Sequence, residues 1–364
     1  MTARLALAVF AVALLGGAAA TRSLTDWTEP VKTWTELGAA IPAAETATIK
    51  LIVDCDIGID DSYALLAALN APEIEVIAVT STFGNVYAEL GAYNALRVLE
   101  LANRTDIPVY IGSERTLNGE VKTEVSSYVH GEDGLGDTYQ PLPDAQPIFN
   151  ESAAAFIARI ARENPGEIHV LAIGPLTNVA LALQLEKSLP DLLGGLNILG
   201  GAYFVSGNIN PASEANIWND ALAADLVFSA FPQLKAVGLD VTLQTYLTAE
   251  DVDAIEGVGP YGDFLAAISR FYMNFYEGAL GTPRVVLHDA TAFLAVIRPE
   301  LFEWRESPVA VATDPAFLGK TLMDQGVTHY SLDSVWLNRT SVSVALNVDA
   351  DAVVQELLEL LQLV

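Results

Sequence analysis

Residues 51–69 read LIVDCDIGIDDSYALLAAL, and this stretch decides the architecture. Leu51, Ile52 and Val53 lead into four aspartates, Asp54, Asp56, Asp60 and Asp61, with Gly58 between the two pairs. An apolar run with helical spacing follows, from Tyr63 to Leu69. The pattern predicts a buried strand, a tight acidic turn and a helix. In an open α/β sheet the carboxyl end of such a strand is where ligands bind. Four carboxylates so close repel one another, and the dipole of the following helix offsets only a little of that at Asp60 and Asp61. A hard cation offsets far more, and Ca²⁺ takes about six to eight oxygen ligands. The spacing is not that of an EF-hand. Counted from Asp54, Ile59 and Leu65 stand where that loop needs Gly and Glu. A solvated turn uses one or two such residues, so the expectation here is a metal site.

Working outward, strand and helix signals alternate from Ile49 onward, which predicts a single α/β domain over residues 49–364. Its central sheet should be mostly parallel, with helices on both faces and a Rossmann-like core. Further strands are expected at 74–80, 109–111, 168–173, 196–199, 236–241, 309–312 and 342–348. Helices are expected at 179–185, 264–277 and 353–363. No repeat and no Pro-, Gly- or Ser-rich linker divides the chain.

Residues 1–20 read as a signal peptide: Arg4, an apolar run over 5–15, then the small residues Ala18, Ala19 and Ala20. The apolar run is shorter than the roughly 20 residues of a membrane span. The expected location is therefore secreted or in the lumen of the secretory pathway. Three glycosylation sequons, at Asn103, Asn150 and Asn338, agree with that. Residues 21–48, with Trp27 and Trp34, form a leader arm whose role the sequence does not give. The formal net charge is −28, from 46 acidic and 18 basic residues. Such a surface repels nucleic acid and anionic membranes. No Lys or Arg occurs between residues 51 and 91, and there is no P-loop, so a phosphorylated substrate is disfavoured. Cys55, the single cysteine, lies between two aspartates that raise its pKa, and it reads as a small buried strand residue.

Other candidates are scattered along the chain. Gly84 lets backbone approach a ligand and Asn85 can donate and accept, although the pair also reads as an ordinary turn. His130 lies in the glycine-rich loop 130–136. Residues 174–178, GPLTN, follow a strand and could expose the carbonyl of Ile173 or cap a helix through Thr177 or Asn178. Asn208, Glu214 and Asn216 suit sugar hydroxyls, in a stretch that also reads as a polar surface loop. Tyr272 and Tyr276 share a helix face, four residues apart. His288 and Asp289 open a further helix.

Together these segments resemble the nucleoside hydrolases of the inosine–uridine-preferring family, over nearly the whole of 49–364. That family's Asp-x-Asp-Pro-Gly-x-Asp-Asp motif is matched by residues 54–61, with Ile57 in place of proline. Its Gly-Asn turn is matched by Gly84-Asn85, its His-Gly loop by His130-Gly131, and its Gly-Pro-Leu-Thr-Asn segment by 174–178. Its Gly-Asn…Glu-Phe-Asn segment is matched by Gly207-Asn208…Glu214-Ala215-Asn216, with Ala215 in place of the aromatic. Its His-Asp pair is matched by His288-Asp289. Residues 319–321 and 344–351 also follow the family pattern.

The resemblance implies that Asp56, Asp61, Asp289 and the Ile173 carbonyl hold one Ca²⁺, and that Asp56 also takes a proton from the attacking water. It implies that Asp60, Asn85, Asn208, Glu214 and Asn216 bind ribose. His288 would protonate the departing base, with His130 as a second candidate, and Tyr272, Tyr276 and Trp218 are candidates for base contacts. A dimer or tetramer of the chain is implied as well. The expected function is calcium-dependent hydrolysis of ribonucleosides to ribose and free base, with purine against pyrimidine preference left open. Two other readings compete. A haloacid dehalogenase-type phosphatase would use Asp54 and Asp56 but lacks basic phosphate ligands. A secreted calcium-stabilised nucleoside-binding protein would lack turnover.

Overall fold

Strand β1, Ile49–Cys55, is buried on both faces, and that is why its sequence is almost continuously apolar. Leu51, Val53 and Cys55 join one hydrophobic core. Ile52 joins the other. The computed structural model describes residues 48–363 apart from 123, 327–335 and 337. These residues belong to one compact unit, Ala47–Val364. The expected signal peptide, and the leader arm up to residue 47, lie outside the described residues.

The remaining strands of the main sheet are β2 (Ile74–Ser81), β3 (Val109–Ile111), β4 (Ile168–Ala172), β5 (Gly195–Leu199) and β6 (Leu234–Val237), then β9 (Phe302–Val311), β10 (Thr321–Met323) and β11 (Ser341–Val348). Between them in sequence, β7 (Tyr246–Thr248) and β8 (Arg284–Val286) form a separate antiparallel ribbon. The nine-stranded order is β10-β9-β11-β6-β5-β4-β1-β2-β3. From β11 to β3 every neighbouring pair is parallel, while β9 runs antiparallel to both β11 and β10. This is the mostly parallel α/β sheet that the sequence predicts.

Helices cover both faces. Helices Ile59–Asn70, Ala88–Leu101, Gly259–Leu280, His288–Ile297 and Ala350–Leu360 pack into the core of Leu51 and Val53. Helices Ala153–Glu163, Thr177–Leu185 and Ala221–Ala230 pack into the core of Ile52. The chain leaves β1 for β2 and β3 on one side, then returns to β4 on the other. The gap between the carboxyl ends of β1 and β4 is thus the switch point where such sheets bind ligands.

Two local expectations need correcting. The strand expected over 236–241 ends at Val237, and a short helix, Leu239–Thr242, follows Gly238. An apolar run of that length does not distinguish strand from buried helix. A Cβ at Gly238 would sit 2.6 Å from the Gly201 carbonyl oxygen, so glycine there lets the chain turn against a neighbouring loop. Neither Thr177 nor Asn178 caps its helix, which has Leu176 at the N-cap and no side-chain cap. Both side chains are engaged elsewhere, Thr177 donating to Asp220 Oδ2 at 2.7 Å.

Candidate active site

The acidic turn is buried. Asp54, Asp56, Asp60 and Asp61 are each at most 5 % exposed, and Asp289 is 1 % exposed, which excludes the solvated-turn reading. Asp54 pairs in register with Thr80 on β2. Its Oδ1 accepts from Thr80 Oγ1 at 2.6 Å and Asn178 Nδ2 at 2.8 Å, pinning the ends of three elements together. Asp61 accepts at Oδ2 from the Gly58 N–H at 2.9 Å, closing the first turn of its helix. Asn85 bridges two acids: its backbone N–H donates to Asp56 Oδ2 at 2.6 Å and its amide to Asp61 Oδ2 at 3.0 Å.

What remains is unbalanced. Asp54 Oδ2, Asp56 Oδ1, Asp60 Oδ1 and Asp289 Oδ1 are buried with no hydrogen-bond partner. Ligand oxygens of Asp60, Asp61 and Asp289 lie within 4.8 Å of one another. Asp56 stands beside this trio rather than in it, joined through Asn85 and through its own N–H, which donates to Asp61 Oδ1 at 3.2 Å. Burial, then mutual repulsion, pushes these carboxyls above the usual range. Asp60 is raised to about 8, and Asp56 and Asp289 well above normal. Burial alone lifts Asp54 to about 6. An all-oxygen set with orphaned lone pairs is the donor chemistry of a hard divalent cation. The residues present therefore fit a metal.

Above the acids opens a cavity of about 350 Å³. Asp60, Asn85, His130, Ile173, Asn208, Glu214, Asn216, Tyr272, Tyr276, His288 and Asp289 all border it, and among the described residues no Lys or Arg does. Residues up to 229 positions apart in sequence thus converge at the carboxyl ends of β1, β2, β4 and β5 (from Asp60 to Asp289). Glu214 is the N-cap of helix Ala215–Asn219 and accepts from the backbone N–H groups of Gly201, Asn216 and Ile217. Asn216 Nδ2 donates to the Ile173 carbonyl at 2.7 Å. A carbonyl has two lone pairs, so that oxygen can still take a second partner. Asn208 accepts from the Ala215 N–H at 2.9 Å and braces the same helix.

The family model described as inosine-uridine preferring nucleoside hydrolase matches residues 51–355. The chain belongs to this family. Probable uridine nucleosidase 2 of Arabidopsis thaliana is 42% identical over 311 residues, covering 85% of this chain and 96% of that protein. Among solved structures, a plant nucleoside hydrolase, the PpNRh1 enzyme, aligns with a TM-score of 0.84 at 38% identity, covering 86% of this chain and 98% of its own. A purine-preferring ribonucleoside hydrolase from Gardnerella vaginalis aligns at 0.79 and 32% identity, with the same coverage of both chains. The chain is a ribonucleoside hydrolase, an enzyme that cleaves N-glycosidic bonds. The phosphatase reading falls, and binding without turnover is not favoured.

Both site histidines of the hydrolase are neutral. Burial pushes His288 down to about 4, and burial plus the neighbouring His288 pushes His130 down to about 3. His130 Nδ1 lies 3.9 Å from Asp60 Oδ1, but it accepts the Ile59 N–H at 3.1 Å, so the contact is not an ion pair. Tyr272 donates to Asp60 Oδ2 at 3.1 Å, and Tyr276 meets His288 Nε2 at 2.7 Å. Both tyrosines are buried and both line the cavity, so core packing and site membership coincide.

Trp218 does not border the hydrolase's cavity. It lies under Lys122 Nζ, 4.5 Å from the ring centroid, and against Gly319. Besides Tyr272 and Tyr276, the aromatics Tyr128 and Phe275 border the cavity, in edge contact at 5.8 Å. Sequence reasoning passed over both, and also over Thr242, which holds His288 Nδ1 at 2.7 Å. Tyr128 lies two residues before His130, and Phe275 adjoins Tyr276, which is the only signal that pointed to them.

Proposed function

We propose that this hydrolase binds Ca²⁺ at the acidic cluster and acts on uridine and related pyrimidine ribonucleosides. The observation that carries the metal is the set of orphaned oxygens on Asp56, Asp60 and Asp289, buried with no Lys or Arg among the described residues that line the cavity. In this reading Asp56, Asp61, Asp289 and the Ile173 carbonyl would hold the ion, Asp56 reaching it from beside the trio, and Asp60, whose oxygen lies with those of Asp61 and Asp289, would adjoin it. Bound there, a divalent cation keeps the acids ionised and makes an adjacent water more acidic. The similarity to uridine nucleosidases supports the base preference.

In this reading the chain's own groups divide the reaction. Asp56 takes the proton of the attacking water; Gly84 and Gly174, both lacking Cβ, leave room around its carboxylate. Asp60, Asn85, Asn208, Glu214 and Asn216 bind the ribose hydroxyls and orient the sugar. Cleavage of the C–N bond builds positive charge on the ribose ring, and a cavity walled by carboxylates and free of Lys and Arg stabilises it. The base leaves toward Tyr272, Tyr276 and the histidines. His288 is the donor to it, acting as a neutral ring N–H, with His130 second to it. We further propose that the mature chain works in the secretory pathway or outside the cell. The exposure of all three sequon asparagines, Asn103, Asn150 and Asn338, supports that location.

The test is release of free ribose from uridine, cytidine, inosine and guanosine, with chelator and after adding back Ca²⁺. The proposal expects uridine to give the highest kcat/KM and chelation to abolish release. Full activity in chelator overturns the metal assignment, and a higher kcat/KM for inosine overturns the base preference.

A further inference from the structure

His288 is gripped at both ring nitrogens. Thr242 Oγ1 lies 2.7 Å from Nδ1, and the Tyr276 hydroxyl lies 2.7 Å from Nε2. Thr242 ends the short helix after β6 and is fully buried. Its position relative to His288 is fixed from outside the site. The Leu287 N–H donates to the Thr245 carbonyl at 3.0 Å, and the Thr245 and Thr291 hydroxyls meet at 2.6 Å.

Among the described residues, His288 is the one hydrogen-bond partner of the Thr242 hydroxyl. A hydroxyl carries one hydrogen, and burying that hydrogen without an acceptor is costly. If Thr242 accepted from Nδ1–H, its own hydrogen would be stranded. If it donates to Nδ1, nothing is stranded. The ring hydrogen then sits on Nε2 and is donated to the Tyr276 oxygen. That leaves the Tyr276 O–H on the side of the ring that faces the Tyr272 hydroxyl and the cavity, which both tyrosines border.

We propose that Thr242 is a positioning residue that fixes the His288 tautomer, so that the donors of the chain Thr242–His288–Tyr276 run one way, from the buried threonine to the cavity side where the base departs. The inference rests on the reading of His288 as the donor to that base, here by way of the Tyr276 hydroxyl, which takes the Nε2 hydrogen as it gives up its own. Thr242 touches no substrate in it. A ring in the opposite tautomer would present an acceptor to Tyr276 and reverse the chain, and a misassigned tautomer in a hydrogen-bonded catalytic pair is known to be severe.

The experiment compares wild type, Thr242→Val, Thr242→Ser and His288→Ala on uridine and on 4-nitrophenyl β-D-riboside, whose leaving group departs without a donor. Thr242→Val should lower kcat on uridine by at least about tenfold, within the roughly 10²–10⁴-fold that proton donation contributes, with KM little changed. Its kcat on the nitrophenyl riboside should fall far less, and Thr242→Ser should restore uridine turnover. ¹⁵N NMR of the wild-type protein, with His288 assigned by its loss in His288→Ala, should show Nε2 protonated and Nδ1 bare. A Thr242→Val enzyme with wild-type kcat on uridine, an equal loss on both substrates, or the Nδ1–H tautomer overturns the inference. Failure of the underlying reading looks different: His288→Ala itself then keeps full uridine turnover.

Discussion

Removing the metal should make the stability of this protein fall as pH rises through neutrality, and the site gives the size of the effect. Burial raises Asp54 to about 6 and, with the charge of Asp61 added, Asp60 to about 8. An unfolded aspartate titrates near 3.9. Both groups therefore hold their protons more tightly in the folded chain. A raised folded pKa contributes stability that is fully present below the unfolded value and is lost as pH climbs through the folded one. Each such group costs about 1.4 kcal/mol per pH unit inside its window. From about pH 5 to about pH 7, Asp54 contributes roughly one unit of loss and Asp60 roughly two, so the chelated protein loses about 4 kcal/mol. Asp56, Asp61 and Asp289 are raised too and act in the same direction. At roughly 2–4 °C per kcal/mol for a domain of this class, Tm should drop on the order of 10 °C. Calcium at about 100 times its dissociation constant adds about 2.7 kcal/mol and should flatten the slope, because a bound cation favours the ionised acids. Calorimetry in chelator and in excess Ca²⁺ across this range reads both effects. A chelated protein whose Tm is flat or rises between pH 5 and pH 7 would refute the reasoning.

His288→Ala should lower kcat on uridine by about 10²–10⁴-fold with KM nearly unchanged, and steady-state kinetics that leave kcat intact would move the donor role to His130. Gly84→Ala should destabilise the calcium-loaded protein by about 1–3 kcal/mol, since Gly84 has a positive φ of 155° and a Cβ there would lie 2.0 Å from Asp56 Oδ2; an unaltered Tm and unaltered calcium titration would contradict it. Uridine should be preferred over 2′-deoxyuridine by about 10⁴–10⁵-fold in kcat/KM, as in sites built to hydrogen-bond a hydroxyl, and Asp60→Ala should narrow that gap; equal efficiency on the two sugars in the wild type would sink the ribose assignment. Protein from a secretory host should lose mass on treatment with an N-glycosidase, and an unchanged mass would argue against the proposed location.

The fold was legible wherever the chain repeats a period long enough to be heard. The apolar strand 51–53, the acidic turn and the helix after it announce an α/β sheet, and the structure has one. The end of β6 was not legible, because Ala236 and Val237 in the strand half and Leu239 and Val241 in the helical half are all apolar, with Asp240 alone departing from the pattern in the helical half. Gly238 marks the break, but only the proximity of the Gly201 carbonyl, a tertiary fact, shows why a glycine stands there.

The site divides the same way. Charged residues at a buried strand end are visible because burial makes them costly, so Asp54, Asp56, Asp60 and Asp61 stand out in the sequence, whereas Asp289, at a helix start, is singled out only by the family resemblance. Thr242, Tyr128 and Phe275 carry no such cost in sequence: a threonine or an aromatic in an apolar run reads as core. Thr242 and His288 are 46 residues apart and meet only because the β7–β8 ribbon folds one segment against the other. Trp218 failed for the opposite reason. It adjoins the polar stretch that lines part of the cavity, yet its ring lies under Lys122 and its backbone and Cβ lie against Gly319. Glu214 and Asn216, on the same five-residue helix and its cap, turn inward to the Gly201 N–H and the Ile173 carbonyl. One helical turn therefore separates a residue outside the cavity from those that border it, and proximity in sequence could not tell the two apart.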